Sequence, residues 1–228
     1  MYLKRNDVMF PDYEKAASAA MELLISNQVI QTPIDSLSIL LNQPRVRVMT
    51  FSEMASKTGT KRENLIPLFA GNQDAVTFHL DLPIDGVDYV VIYNRFLTMD
   101  VVFRGIAREL GHIVLGHDGQ TRTTEVRMAE ALCFAHHLLS PRPVIRMLQK
   151  SNIPITLDVL ADTTGCSSAC VEGLQKIPGA HVPKELKIAV RNLFEQKINE
   201  YIRFHKESNI TDHSPVIDFG SFMDNYEE

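Results

Sequence analysis

The sequence has no tryptophan, only three cysteines among its 228 residues, and no apolar stretch long enough to span a membrane. Its first residues, Met1 to Pro11, also lack the apolar core of a secretory signal peptide. Few cysteines without an export signal are typical of a reducing compartment. We therefore expect a cytoplasmic protein, whose 45% hydrophobic residues are enough to bury the core of one domain and a smaller extension.

Positive charge is scarce as well. The chain has 23 Lys and Arg residues against 28 Asp and Glu residues, a formal net charge of −5. Such a chain has no general attraction to nucleic acid or to an anionic membrane, so neither is an expected partner. A local exception is the row Arg142, Arg146 and Lys150, whose helical spacing predicts either a small contact with an anion or an ordinary solvated face.

Hydrophobic periodicity predicts helices first, then strands, then helices again. Strands are expected at Val46 to Val48, Ala75 to Leu80 and Tyr89 to Tyr93, and the last two should form a hairpin across Asp85 and Gly86. Helices are expected from Tyr13 to Ser26, around 35–41, near 99–115, near 123–139 and from Pro183 to Lys206. On the fourth of these, Met128, Leu132, Ala135 and Leu139 are expected to point inward.

The residues that indicate chemistry lie between Arg108 and His112. In a His-Glu-x-x-His motif, two histidines on one helix face bind zinc, and the glutamate beside the first histidine acts as a general base. Glu109 and His112 match the glutamate and the second histidine, but Arg108 replaces the first histidine. Arginine stays protonated and has no lone pair to offer, so it cannot bind zinc.

A second segment follows His112 by eighteen residues, and it resembles the Glu-Ala-Asn-x-Phe-Ala…Leu-Leu-x-Pro stretch of the ImmA/IrrE family of zinc metallopeptidases. Leu132 stands where that family usually has Asn. The resemblance covers about residues 12–141 and extends weakly to a helix-turn-helix-like piece at 160–167. The segment reads Glu130-Ala131-Leu132-Cys133-Phe134-Ala135-His136-His137-Leu138-Leu139-Ser140-Pro141.

The resemblance implies an α+β fold with a zincin-like core. In that core a small three-stranded sheet packs against helices on one side, and a helical C-terminal extension follows. The expected divisions are a metallopeptidase-like domain at 1–141, a helical extension with the helix-turn-helix-like segment at 142–207, and an acidic, mobile tail at 208–228.

The resemblance also implies His112 and Glu130 as metal ligands and Glu109 as the catalytic base, with Arg108 at a degenerate ligand position. A catalytic zinc needs about three protein ligands, so another side chain would have to complete the set. The neighbouring candidates for a substitute or supporting role are His117, Asp118, His136 and His137, of which His137 is better placed than His136. Alternatively, the Arg108 guanidinium replaces the metal's charge and pairs with Glu130 and perhaps Glu109.

Two functions stay open at this point. With zinc bound, the protein would be a peptidase acting on a regulatory protein, because relatives typically act on repressor-like regulators of mobile elements or stress responses. Without zinc, it would be a catalytically inactive peptidase-like regulator that binds a protein partner. A DNA-binding regulator is disfavoured, because Asp158, Asp162 and Glu172 outweigh Lys176 in the helix-turn-helix-like region.

Overall fold

The computed structural model describes residues 10–65, 74–118, 122–165, 173, 180–208 and 216–217. Within these ranges it contains nine helices and one mixed three-stranded sheet, so the predicted α+β class is confirmed. The strands are β1 (Val46–Thr50), β2 (Ala75–Ile84) and β3 (Val87–Tyr93). The helices are α1 (Tyr13–Ser26), α2 (Ser36–Leu41), α3 (Phe51–Thr58), α4 (Arg62–Leu65), α5 (Met99–Val114), α6 (Thr124–Leu139), α7 (Arg142–Lys150), α8 (Leu157–Thr164) and α9 (Lys184–Glu207).

The sheet has the order β1-β3-β2, with β1 parallel and β2 antiparallel to the central β3. The predicted hairpin is confirmed: Asp85 and Gly86 both have positive φ angles, as a two-residue turn between twisted strands requires. Because β2 is bonded to β3 on one side, it is an edge strand on the other. Its free edge runs along the candidate site described below.

Helices cover both faces of the sheet, so the expectation of helices on one side is wrong. Val91 of β3 belongs to the main core with α1, α2, α5 and α6, whereas its neighbour Ile92 packs with Met49, Phe51 and Leu65 in a second cluster. Successive side chains of a strand point to opposite faces, so a central strand buried on both sides needs cover on both. Helix α3 supplies the second cover.

Helices α5 and α6 pack closely, which brings the two motif segments together. A Cβ atom added at Gly111 would lie 3.1 Å from both the Cα atom and the carbonyl oxygen of Ala131. Glycine is therefore the residue that permits this approach. The predicted inward orientation of Leu132 is wrong: its side chain is 36% exposed, because the packed face of α6 runs through Ala131, Phe134 and Leu138.

The C-terminal part is helical, as predicted. Val190, Phe194 and Ile198 of α9 are buried, and this helix contacts α7 and α1. Most of the helix-turn-helix-like segment beyond α8 and most of the predicted tail lie outside the described residues, except that Val216 forms a β-bridge with Thr156. No helix in the described part of the chain combines the length and the apolarity that crossing a membrane requires.

Candidate functional site

Arg108 is held in a buried ion-pair network on α5. Its guanidinium forms two parallel hydrogen bonds to the carboxylate of Asp74, at 3.0 and 3.1 Å, and also donates to the carbonyl oxygen of Ala75. On the other side, Nε and Nη2 donate to Oε1 of Glu109 at 3.0 and 2.8 Å. The guanidinium therefore pairs with Asp74 and Glu109, and the expected pairing with Glu130 is wrong.

The two hydrogen bonds from Arg108 to Oε1, and not its pKa, oppose a role for Glu109 as a freely acting base. Burial raises the pKa of Glu109, and the adjacent Arg108 charge partly offsets that rise. Burial would lower the pKa of Arg108, but the Glu109 and Asp74 carboxylates outweigh it and the pKa is raised. A buried cation between two carboxylates stabilises their charged forms.

A second network joins the remaining motif residues. Nδ1 of His112 lies 2.9 Å from Nδ1 of His117, and Nε2 of His117 lies 2.9 Å from Oε2 of Glu130. Both imidazoles are held neutral: burial, with a smaller effect of neighbouring charges, lowers the pKa of His112 to about 4, and burial also lowers that of His117. A carboxylate only accepts, so His117 donates from Nε2 and accepts at Nδ1 from His112.

Glu130 is fully engaged in this network. Only 1% of the residue is exposed, and its Oε1 atom accepts from the backbone N–H of Asp12 at 2.7 Å and from Arg122. Arg127 secures the turn beyond α5 by donating to the carbonyl oxygen of His117 at 2.9 Å. Both oxygens of the expected carboxylate ligand thus have hydrogen-bond donors.

This arrangement does not fit the zinc that the family resemblance implies. Both nitrogens of His117 are used in hydrogen bonds, both oxygens of Glu130 have donors, and Arg108 offers no lone pair, which leaves Nε2 of His112 as the lone-pair nitrogen of this set. Among the described residues, no group of three or more His, Cys, Asp and Glu side chains is arranged to hold a metal ion. Zinc binding would require the His117 ring to turn away from its partners.

Beside these networks lies a cleft of about 330 Å³, bounded by the edge strand β2 and the helices α5 and α6. Glu109, His112 and His117 form its polar wall. At one end the Tyr89 hydroxyl donates to Asp118 at 2.9 Å, and His79 stands 3.4 Å from the same carboxylate. Burial and the Asp118 carboxylate raise the pKa of Tyr89 to about 12, so its hydroxyl stays a donor at neutral pH. The lining residues are Val76, Thr77, His79, Tyr89, Glu109, His112, His117, Asp118, Thr124, Arg127 and Met128.

The predicted supporting residues are placed differently from one another. His117 lies between His112 and Glu130, and Asp118 lines the cleft. His137 is completely buried, and in the described part of the molecule neither of its ring nitrogens has a hydrogen-bond partner. It therefore forms no hydrogen bond to Glu130 and does not support the carboxylate in the way the sequence allowed.

Sequence reasoning missed Asp74, Arg122 and Arg127. Asp74 is 34 residues from Arg108 along the chain and directly precedes β2, where no motif marked it. A signal did exist for this residue, because a buried arginine needs a carboxylate partner and Asp74 directly precedes a predicted strand. Comparison with protein-family models, with curated proteins and with solved structures finds no match to this chain.

Proposed function

We propose that this protein is a peptidase-like regulator of the ImmA/IrrE type that binds an extended segment of a protein partner without hydrolysing it. The observation that carries the proposal is the Asp74–Arg108–Glu109 network. It places a fixed positive charge where a peptidase of this type has its first metal ligand, and it ties the would-be base into two hydrogen bonds.

The cleft offers what an extended peptide needs. Among the described strands, β2 has a neighbour on one side only, and an added strand can pair with its other edge by β-augmentation. The side chains of that strand would face a wall with two apolar side chains, Val76 and Met128, and several polar groups, among them Thr77 and the Tyr89–Asp118 pair. A repressor-like regulator with an exposed extended segment is the class of partner we propose.

The second candidate function is zinc-dependent peptide hydrolysis. The observation that favours it is the proximity of His112, His117 and Glu130. His117 lies 2.9 Å from His112 on one side and 2.9 Å from Glu130 on the other. If His117 turned, it would be the third ligand that Arg108 cannot be. No step of such a reaction follows from the arrangement that the structure shows.

An array of about 15-residue peptides from candidate regulators, probed with the labelled full-length protein, tests the proposal; a bound strand of that length covers the β2 edge. Thr77→Arg should abolish binding because the new side chain fills the cleft. The matched control is Thr58→Arg, at an exposed position of α3. Bound peptides should be recovered intact by mass spectrometry, with or without added zinc.

The chemistry is tested separately with Glu109→Gln. Peptide affinity should stay nearly unchanged because no bond-breaking step depends on this side chain. Zinc-dependent cleavage by the unaltered protein that disappears in Glu109→Gln would overturn the proposal in favour of the second candidate. Binding that is equally strong in Thr77→Arg would show that the cleft is not the peptide site.

A further inference from the structure

A second groove lies between α7 and α9, away from the cleft, and has a volume of about 300 Å³. Among the described residues, five cationic side chains and one anionic side chain, Glu195, line it, in a chain whose net charge is −5. The cations are Arg146, Lys150, Lys184, Lys187 and Arg191. This is a concentration of charge opposite in sign to that of the protein as a whole.

The groove is amphipathic. Pro143 and Met147 of α7 and Ile188 and Ile202 of α9 provide apolar surface between the cations, and Ile188 is 46% exposed. An exposed isoleucine flanked by lysines can bury its side chain only against a ligand that is apolar on one face and acidic beside it. A small inorganic anion would leave this apolar surface in water.

The shape of the groove indicates a helical ligand. On α9 its lining residues 184, 187, 188, 191, 195, 199 and 202 recur at intervals of three and four, forming one stripe along the helix. A stripe from 184 to 202 is about 27 Å long at the rise of an α-helix. A docked helix packs along such a stripe, and in this groove it would have apolar residues at the same intervals.

We propose that the α7–α9 groove binds an acidic amphipathic helix of a partner protein. On α9 the cations lie in the first half of the stripe, at Lys184, Lys187 and Arg191. Helix α7 contributes Arg146 and Lys150 to the same groove. The positive end of the α9 dipole adds to this field. The acidic end of the ligand therefore docks beside Lys184 and its apolar end beside Ile202. Duplex nucleic acid is the less favoured ligand because the net charge repels an extended phosphate backbone.

The probe is a fluorescein-labelled amphipathic peptide of about 18 residues, the length of the stripe, with leucines at helical spacing and glutamates beside them. Binding to the full-length protein is measured by fluorescence anisotropy. A peptide with every glutamate changed to glutamine should bind about tenfold more weakly or worse, because it lacks the charges that the groove complements. Equal affinity for the two peptides would overturn the proposal.

Two charge-reversal variants locate the site. Arg146→Glu with Arg191→Glu should weaken binding of the acidic peptide by about tenfold or more. Lys197→Glu with Arg203→Glu changes the net charge by the same amount at exposed positions of α9 outside the groove, and should leave affinity within about twofold. Circular dichroism verifies that both fold. Equal weakening by the two variants would show that the net charge of the protein, and not the groove, determines peptide affinity, and would overturn the proposal.

Other ligands give distinguishable results. Tighter binding of a duplex DNA of about 20 base pairs, or of anionic phospholipid vesicles, that is lost in Arg146→Glu with Arg191→Glu would assign the groove to that ligand and overturn the proposal. If a chain ending at Ser208 binds the peptide and the full-length chain does not, the groove is assigned to the chain's own C-terminal residues. Concentration-dependent dimerisation in sedimentation that the same variant abolishes would assign it to a second copy.

Discussion

Arg108 lies between Asp74 and Glu109 and donates hydrogen bonds to both carboxylates. Its removal would leave the two carboxylates in a buried site without their shared cation. The side chain of Glu109 is 4% exposed and that of Asp74 is 17% exposed. Such a cluster gains little from solvation and depends on its cation. Arg108, the residue that replaces the first histidine of the zinc motif, therefore also has a structural role in the site.

Replacing Arg108 by methionine should therefore destabilise the protein by about 3–5 kcal/mol, the usual cost of breaking a buried ion pair from one side. Chemical denaturation monitored by circular dichroism measures this. The control is Arg104→Met, one turn earlier on α5 and outside the network, with an expected cost below about 1 kcal/mol. Equal costs for the two variants would contradict a structural role for the Arg108 network.

The low pKa of His112, about 4, gives stability a defined dependence on pH. In the unfolded chain His112 takes up a proton near its ordinary pKa of 6.5, whereas in the folded chain it does so only near 4. Stability is therefore full above pH 6.5 and falls as the pH drops toward 4. His117 acts in the same direction. Thermal unfolding at a series of pH values should show a shallower loss in His112→Asn than in the unaltered protein.

The control for that series is His181→Asn, at an exposed position outside the network. Its loss of melting temperature between pH 6.5 and pH 4 should parallel that of the unaltered protein. If His112→Asn shows the same slope as His181→Asn, the acid sensitivity of the fold has another origin.

At the scale of elements, the sequence predicts the long helices and the hairpin well because their signals are local. α1 has the bounds that its period indicates, and the Asp85-Gly86 turn joins the strands that flank it. Helix α3 was missed although its signal is present: Thr50 and Glu53 form a capping box at its start. It was missed because it is only eight residues long and Phe51 is its one buried residue.

The site was harder to predict because it depends on side chains far apart in sequence. Arg108, Glu109 and His112 lie on one helix and are recognised together. Asp74 reaches Arg108, and Arg122 reaches Glu130, only through the packing of β2 and α6. No local pattern encodes which carboxylate an arginine pairs with. The choice of Asp74 over Glu130 follows from the tertiary arrangement.

The α5–α6 contact gives a prediction at this scale. Gly111→Ala should lower stability by about 1–3 kcal/mol, since the added methyl group meets the backbone of Ala131 at 3.1 Å and overpacks the interface. The same substitution inside an uncrowded helix would be stabilising by up to about 1 kcal/mol. Denaturant unfolding decides the sign, and a gain in stability would show that α6 moves aside at little cost.

At the scale of the whole molecule, two surfaces have opposite character. The cleft beside β2 is lined in part by the polar residues of the internal networks, whereas the α7–α9 groove is basic and apolar with an exposed isoleucine. The cleft is lined by residues between 76 and 128, and the groove by residues between 143 and 202. A protein with two such surfaces can hold an extended segment and a helix of one regulator together, which raises the effective concentration of each contact for the other.

The most direct test of the central claim, that the Arg108 network has replaced a metal site, is the zinc content per chain after saturation with zinc and removal of unbound metal. The unaltered protein should retain close to none. Arg108→His should retain about one, because it restores two histidines four residues apart on one helix face, with Glu130 opposite. About one zinc in the unaltered protein would contradict the account and show that another side chain supplies the missing ligand. No zinc in Arg108→His would show that the scaffold no longer presents a metal site.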